Sequence, residues 1–287
     1  MTVLLKGKLT NKARLHRPIV VRGQGDGQLR LAVADVADGV ALWRLWGRLG
    51  WNDILQRYRR SLLGPLWLTA SMGIMVLALG VVYARILKMA LDDFMPFLCV
   101  GLLIWSIISS VLTEAGTLFI GAESYIKQIR LPYSVYVCRF MWSKTIIFAH
   151  NFVIYLGIVI YFKLQPGGAV FCAMPGFILI LLNGALTSLY VGMVSARFRD
   201  VPQLIASIVQ IIFFMTPIMW KPELLGSRSV LMTFNPFYHL VEIVRAPLLG
   251  QVPSAENYIA LGLISMANFL LAAALFVRFR ARISYWV

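Results

Sequence analysis

From Leu66 onward, apolar residues gather into runs of the length that crosses a bilayer: a hydrocarbon core of roughly 30 Å needs about 20 of them in a helix. Six such runs stand out: Leu66–Leu87, Phe94–Thr113, Met141–Phe162, Val170–Ser195, Leu204–Trp220 and Tyr258–Val277. Residues 221–250 are also rather apolar, but Pro222, Gly226, Pro236, Pro247 and Gly250 interrupt them, so they cannot form one clean span. The pattern predicts an all-α polytopic membrane protein whose six-span domain covers residues 61–287.

Before the first span the period changes. In residues 41–60, Leu42, Trp43, Leu45, Trp46 and Leu49, then Trp51, Ile54, Leu55 and Tyr58, recur at spacings of three and four. Arg44, Arg48, Arg57 and Arg59 occupy other faces, which predicts an amphipathic interface helix. Gly50 reads as a break, with Asn52 capping a second segment. Gly64-Pro65 ends this region and turns the chain toward the membrane. Residues 1–40 read as a separate cytoplasmic lead-in, with a turn at residues 23–27 and a short strand from Leu29 to Val36. The N-terminus lacks the apolar core of a cleaved signal peptide.

Composition agrees. With 60% hydrophobic and only 14% charged residues, a soluble globular domain is excluded. A net charge of +15 would suggest nucleic acid in a soluble protein. Here the cations lie mainly before and between the apolar runs, so lipid headgroups and topology account for them and no nucleic-acid partner is expected. The segments assigned to the inside hold 21 Lys and Arg and those outside hold 6, which places both termini in the cytoplasm. Cys99, Cys138 and Cys172 have no metal-ligand spacing and read as small hydrophobes.

No Asp, Glu, Lys or Arg sits mid-span, where an ion-coupled carrier keeps its switchable group. His150, beside Asn151, is the one candidate, and its expected role is a hydrogen bond to a neighbouring helix. No GxxxxGK[ST] loop occurs, so no cofactor is expected on this chain, and energy for transport must come from a partner. The segment Glu114–Pro132 looks suited to meet one, with Glu123 and Lys127 an i,i+4 pair on a short helix.

The fifth run carries a polar stripe. Asp200 is placed to cap it, with Gln203 completing a capping box. Gln203, Ser207, Gln210, Phe214, Pro217 and Lys221 fall on one face, bordered by Phe213 and Trp220. Leu204, Ile208, Ile211, Met215 and Ile218 form an aliphatic opposite face. Amides and hydroxyls among rings suit a sugar; tying helices together is the alternative role. Gly184, Ser188 and Gly192 read as a packing ridge. After the stripe, Asn235-Pro236 opens a helix containing Phe237, Tyr238, Glu242 and Arg245, the last two able to pair. With Pro222–Gly226 it would re-enter the membrane as a lid; an exposed loop is the alternative.

Arg57-Tyr58-Arg59-Arg60-Ser61-Leu62-Leu63-Gly64-Pro65-Leu66-Trp67 closely resembles the entry motif of the membrane subunits of ABC-type polysaccharide exporters, the Wzm-like O-antigen export family. Ile126 to Pro132, Arg197-Phe198-Arg199-Asp200-Val201-Pro202, and Asn235-Pro236-Phe237-Tyr238-His239 running on to Leu249-Gly250 match it in the same order. The resemblance implies a homodimer in the bacterial inner membrane, joined to two ATPase subunits that hold the ATP and Mg. It implies an undecaprenyl-type lipid-linked polysaccharide as cargo. It further implies a pore at the dimer axis and a periplasmic gate at 221–250, with Asn235, Phe237, Tyr238, Glu242 and Arg245; the stripe residues Gln203, Ser207, Gln210, Phe213, Phe214 and Trp220 are the candidate substrate path. ATPase contacts would fall at Arg57, Arg59, Arg60, Glu123, Lys127 and Arg130. Capsule or teichoic-acid exporters, and drug or small-lipid exporters, share the architecture. A membrane transferase would need a pair such as His239 and Glu242.

Overall fold

Backbone N–H and C=O groups in hydrocarbon must be satisfied within the segment, so apolar runs of this length fold as helices. The structure is a computed structural model and describes residues 27–59, 64 and 66–287. Its helices are α1 (Gln28–Ala41), α2 (Trp43–Arg57), α3 (Leu66–Ile86), α4 (Leu91–Glu114), α5 (Glu123–Gln128), α6 (Tyr133–Phe162), α7 (Ala173–Arg197), α8 (Val201–Met215), α9 (Pro236–Leu248), α10 (Ala255–Phe279) and α11 (Ile283–Trp286). A 3-10 stretch, Pro222–Phe234, joins α8 to α9 and bends at Gly226. No strand occurs among the described residues.

Five of these helices are long and apolar enough to cross a bilayer. The expected fifth span, 204–220, is not one helix. α8 has 15 residues, about 22 Å at 1.5 Å per residue. Thr216 then turns to extended backbone ahead of Pro217, whose missing N–H and ring disfavour further helix.

α4 is the central post. Its side chains from Phe94 to Ile104 are almost all buried, and α3, α6, α7, α8 and α9 pack around it. Asp92 and Asp93 in its first turn suit the positive end of the helix dipole. The small ridge on α7 packs as expected. Gly184 faces Met141 and Val111, Ser188 is fully buried, and Gly192 faces Phe119. Beside it, Asn183 donates to Ser265 Oγ (2.8 Å), and Asn268 donates to Asn183 Oδ1 (3.1 Å), joining α7 to α10.

A second, smaller core forms at the end of the bundle where α1 lies. Ala32, Phe119, Ile126, Met193, Phe276 and Ile283 meet there, so both ends of the described chain and the α4–α6 connection share one cluster.

Three expectations about the leading segment are corrected. Leu29–Val36 is not a strand but part of α1, because Leu29, Val33, Val36 and Val40 recur at helical rather than alternating spacing. Ala32, Asp35 and Gly39 form its buried side against α6. Gly50 does not break α2, nor does Asn52 cap a second segment: α2 runs through both. Gly50 is there because a Cβ would come within 2.9 Å of the Arg139 carbonyl oxygen of α6. Arg139 in turn holds Asp53 with two bonds, Nε to Oδ2 at 2.7 Å and Nη2 to Oδ1 at 2.5 Å. Trp46 turns inward onto Trp142, while Trp43 and Trp51 stay exposed together with Arg44 and Arg48. The turn at residues 23–26, and the rest of the lead-in before Gly27, lie outside the described residues.

Asp35 anchors this end. Pro132 precedes α6 and offers no side-chain cap. The Asp35 carboxylate instead accepts from the backbone N–H of Tyr133 (3.2 Å) and Ser134 (3.1 Å), and from Arg280 Nη1 (3.0 Å). Replacing it by alanine uncaps α6 and leaves a half-buried guanidinium without its partner. Asp35→Ala is expected to destabilise the protein by about 3 kcal/mol, read as a lowered Tm of the detergent-solubilised chain. An unchanged Tm would show that the carboxylate contributes nothing.

Candidate functional site: the exposed faces of α8 and the helix that holds it

α8 begins without its expected cap. Asp200 stands at the N-cap position, but its backbone is helical (φ −87°, ψ −20°) and its side chain makes no capping bond. A capping side chain needs extended backbone there. The N–H groups of Gln203 and Leu204 bond to the Asp200 carbonyl oxygen instead (3.1 and 3.2 Å).

The helix presents three faces, not two. Ile205, Val209, Ile212 and Phe213 pack on the core. Phe213 sits 5.8 Å from Trp105, which also meets Phe237 at 5.9 Å. A second face, Leu204, Ile208, Ile211 and Met215, is exposed and aliphatic, without Ile218, which is fully buried beyond the helix end. On the third, Gln203, Ser207, Gln210 and Phe214 are exposed. Ser207 donates back to the Gln203 carbonyl at 3.2 Å. The two glutamine amides have no partner among the described residues. The stripe ends at Phe214. Pro217 and Lys221 lie past the helix, and Lys221 turns away to Asp93 (2.7 and 2.8 Å). Trp220 folds back so that its Nε1 faces the Phe214 carbonyl oxygen at 3.4 Å.

The far end of α8 is held in place by α9 and its cap. Asn235 caps α9 as expected, its Oδ1 accepting from Phe237 N–H (3.0 Å) and Tyr238 N–H (3.4 Å). Its Nδ2 donates to Thr216 Oγ1 (3.2 Å) and the Met215 carbonyl oxygen (3.3 Å), a second role that composition did not signal. Arg245, 1% exposed, pairs with Glu242 at the expected spacing. Its Nη1 donates to the Pro217 carbonyl oxygen at 2.7 Å, and its guanidinium lies 4.0 Å from the Phe97 ring centroid. α9 runs one residue beyond Pro247, and from His239 to Leu248 nearly every side chain is buried. Tyr238 is half-buried beside His239. His239 itself lies between Asn257 Oδ1 (2.7 Å) and the Thr233 carbonyl oxygen (2.8 Å), so both ring nitrogens are engaged, while Glu242 is held by Arg245.

The remaining candidates gather at the opposite end. Glu123 and Lys127 pair at 2.6 Å on the exposed side of α5, which holds the Glu123 carboxyl below its ordinary value. Ile126 anchors α5 from beneath. Arg130 and Arg59 are exposed. Arg57 reaches Glu114 at 3.2 Å, and Arg60 lies outside the described residues. The His150 ring bonds the Ile146 carbonyl oxygen of its own helix (2.8 Å), not a neighbouring helix as expected. It is the His150 carbonyl oxygen that meets a neighbour, Thr69 Oγ1, at 3.2 Å.

Against known families, the ABC-2 type transporter pattern matches residues 44–249, from α2 to the residue after α9. The chain belongs to the ABC-2 type transporter family. The chain is similar to the O-antigen export system permease protein RfbA of Myxococcus xanthus, 22% identical over 230 residues, covering 78% of this chain and 88% of that protein. Two proteins of the same description from Klebsiella pneumoniae are 19% identical over 225 residues and 21% over 195. They cover 77% and 66% of this chain, and 85% and 74% of themselves.

Arg245 carries a direct test. Arg245→Ala strands Glu242 and the Pro217 carbonyl in a dry site and should lower stability by about 3–5 kcal/mol. The double variant Glu242→Gln/Arg245→Met, which removes both charges, should recover much of that loss in thermal denaturation. Equal loss in single and double variants would remove the ion pair as the cause.

Proposed function

We propose that this permease exports a lipid-linked polysaccharide of the O-antigen type across the bacterial inner membrane, driven by two copies of an ATPase subunit. The cofactors, ATP and Mg, belong to that partner. The observation that carries the reading is the polar face of α8 in a chain of this family. Unpaired amides facing lipid are costly, so Gln203, Ser207, Gln210 and Phe214 look toward a wet path or a second copy. In the homodimer, the aliphatic face of α8 meets lipid or partner helix and the polar face lines the conduit. Rings stack on the CH faces of sugars and amides pair with their hydroxyls. The stripe carries no cation and Lys221 is held by Asp93, which favours a neutral glycan over a phosphate-rich teichoic polymer.

In this reading α8, with the residues after it, serves as the fifth of six spans, and both termini face the cytoplasm. α2 lies along the inner interface. α5, with Glu123 and Lys127 outward, and Arg130 just after it dock on the ATPase together with Arg59 and Arg60, while Arg57 is held at Glu114. Pro222–Phe234 and α9 form the periplasmic gate, Asn235 and Arg245 fixing its hinge side and Phe237, Tyr238 and Glu242 its body.

Gln210→Leu combined with Phe214→Ala is expected to leave dimer assembly and ATPase binding intact while cutting surface polysaccharide severalfold, read by immunoblot of exported polymer. Wild-type polymer levels would remove the stripe from the path. Separately, Lys127→Glu with Arg130→Glu should abolish co-purification of the ATPase subunit without changing the elution volume of the permease alone. Retained co-purification would place the docking surface elsewhere.

A further inference from the structure

A cleft of about 310 Å³ opens between α3, α4 and α6, apart from α8. Each helix gives it one stripe: Ser71 on α3, Ser106, Ser110 and Glu114 on α4, Lys144 and Asn151 on α6. Because α4 runs antiparallel to α6, Glu114 meets Lys144 at one end and Ser106 lies level with Asn151 at the other. Seven residues of helix separate Lys144 from Asn151, so the two ends stand about 10 Å apart.

The first end is cationic. Lys144 Nζ lies against Glu114 Oε1, and Arg57 Nη2 reaches Glu114 Oε2 at 3.2 Å. Among the described residues these are the charged groups lining the cleft. Two cations share one carboxylate, which leaves one positive charge over. An ammonium carries three donors and a guanidinium five, so both have N–H groups to offer. The Lys144 side chain is only 2% exposed, and such a charge held in a membrane bundle is costly unless it is used.

The other end offers acceptors. Asn151 is 3% exposed, and its Oδ1 receives no hydrogen bond. Ser71, Ser106 and Ser110 donate their O–H groups to carbonyls of their own helices, at 2.8, 2.7 and 3.0 Å. Their oxygen lone pairs therefore remain free. Met72 and Phe148 supply apolar wall, and the cleft opens past Ser71 and Met75 on the exposed side of α3.

We infer that this cleft binds a phosphodiester-linked sugar: the phosphate between Arg57 and Lys144, the sugar hydroxyls donating to Asn151 and the serine oxygens. A phosphodiester carries one negative charge and matches the surplus. The volume stands at the small end for ligand clefts, room for one sugar and its phosphate but not for a polymer. The open apolar side lets the rest of an amphiphile lie in the bilayer, so the sugar arrives on a lipid. That source rests on the export reading, whereas the test reads binding alone and leaves the α8 path untouched.

The full chain, purified in a sugar-free detergent, is titrated calorimetrically with dodecyl glucosyl phosphate, dodecyl methyl phosphate and glucose 1-phosphate. Saturable binding of the first is expected, tighter than either of the others. Lys144→Gln should weaken it about tenfold, as for a lost hydrogen bond to a charged group. Asn151→Leu and Ser110→Ala should weaken the glucosyl ligand severalfold and leave dodecyl methyl phosphate unchanged. Ser110→Ala, a minimal change, carries the test if Lys144→Gln fails to elute like wild type. Equal affinity across the variants overturns the site, and equal affinity for the two dodecyl phosphates overturns the sugar end. Glucose 1-phosphate binding as tightly as the amphiphile would assign the cleft to a soluble metabolite and overturn the lipid source.

Discussion

One guanidinium sets the arrangement around α8. Arg245 touches Glu242 on its own helix, the Pro217 carbonyl oxygen beyond α8 and the Phe97 ring of α4. A buried arginine is tolerated only when its charge and donors are met, so these three partners must come together whenever α9 is packed. α8 has a single buried residue of its own, Val209. Its position therefore depends less on its own packing than on what grips its end. The polar and aliphatic faces point where they do because the chain leaving Met215 is fastened to α9.

The same logic operates at the other end with the sign of the charge reversed. Asp35 is a buried carboxylate that collects two backbone N–H groups of α6 and the Arg280 guanidinium. Around it, α1, α5 and the last helices share one apolar cluster. The segment that presents α5 is thus held by both ends of the described chain, which gives the proposed docking element a firm base on a loop otherwise made of short turns.

Much of this was legible in the residues. Long apolar runs marked five spanning helices because hydrocarbon leaves a backbone few choices. Spacing alone foretold the Glu123–Lys127 and Glu242–Arg245 pairs, and Asn235-Pro236 foretold the start of α9, since each rule is local. What failed was non-local or rested on a residue read by habit. Gly50 looked like a break and is a close approach to Arg139. Leu29–Val36 looked like a strand because its helical period was short and lay beside glycines. Asp200 looked like a cap, but its backbone is already helical. The stripe on α8 was read too far, past a proline that ends it. Asp35 could not be found at all: its partners, Tyr133, Ser134 and Arg280, lie 98, 99 and 245 positions away, and no periodicity reports such a distance.

Asn235 has a mechanical consequence. One amide closes the C-terminal end of α8 with its nitrogen and the N-terminal end of α9 with its oxygen. Together with Arg245 on the Pro217 carbonyl, that amide ties the end of one rod to the start of the other. The two are joined like the arms of a crank at a shared pin, so a turn of the buried arm would have to be met by the arm whose amides stand bare.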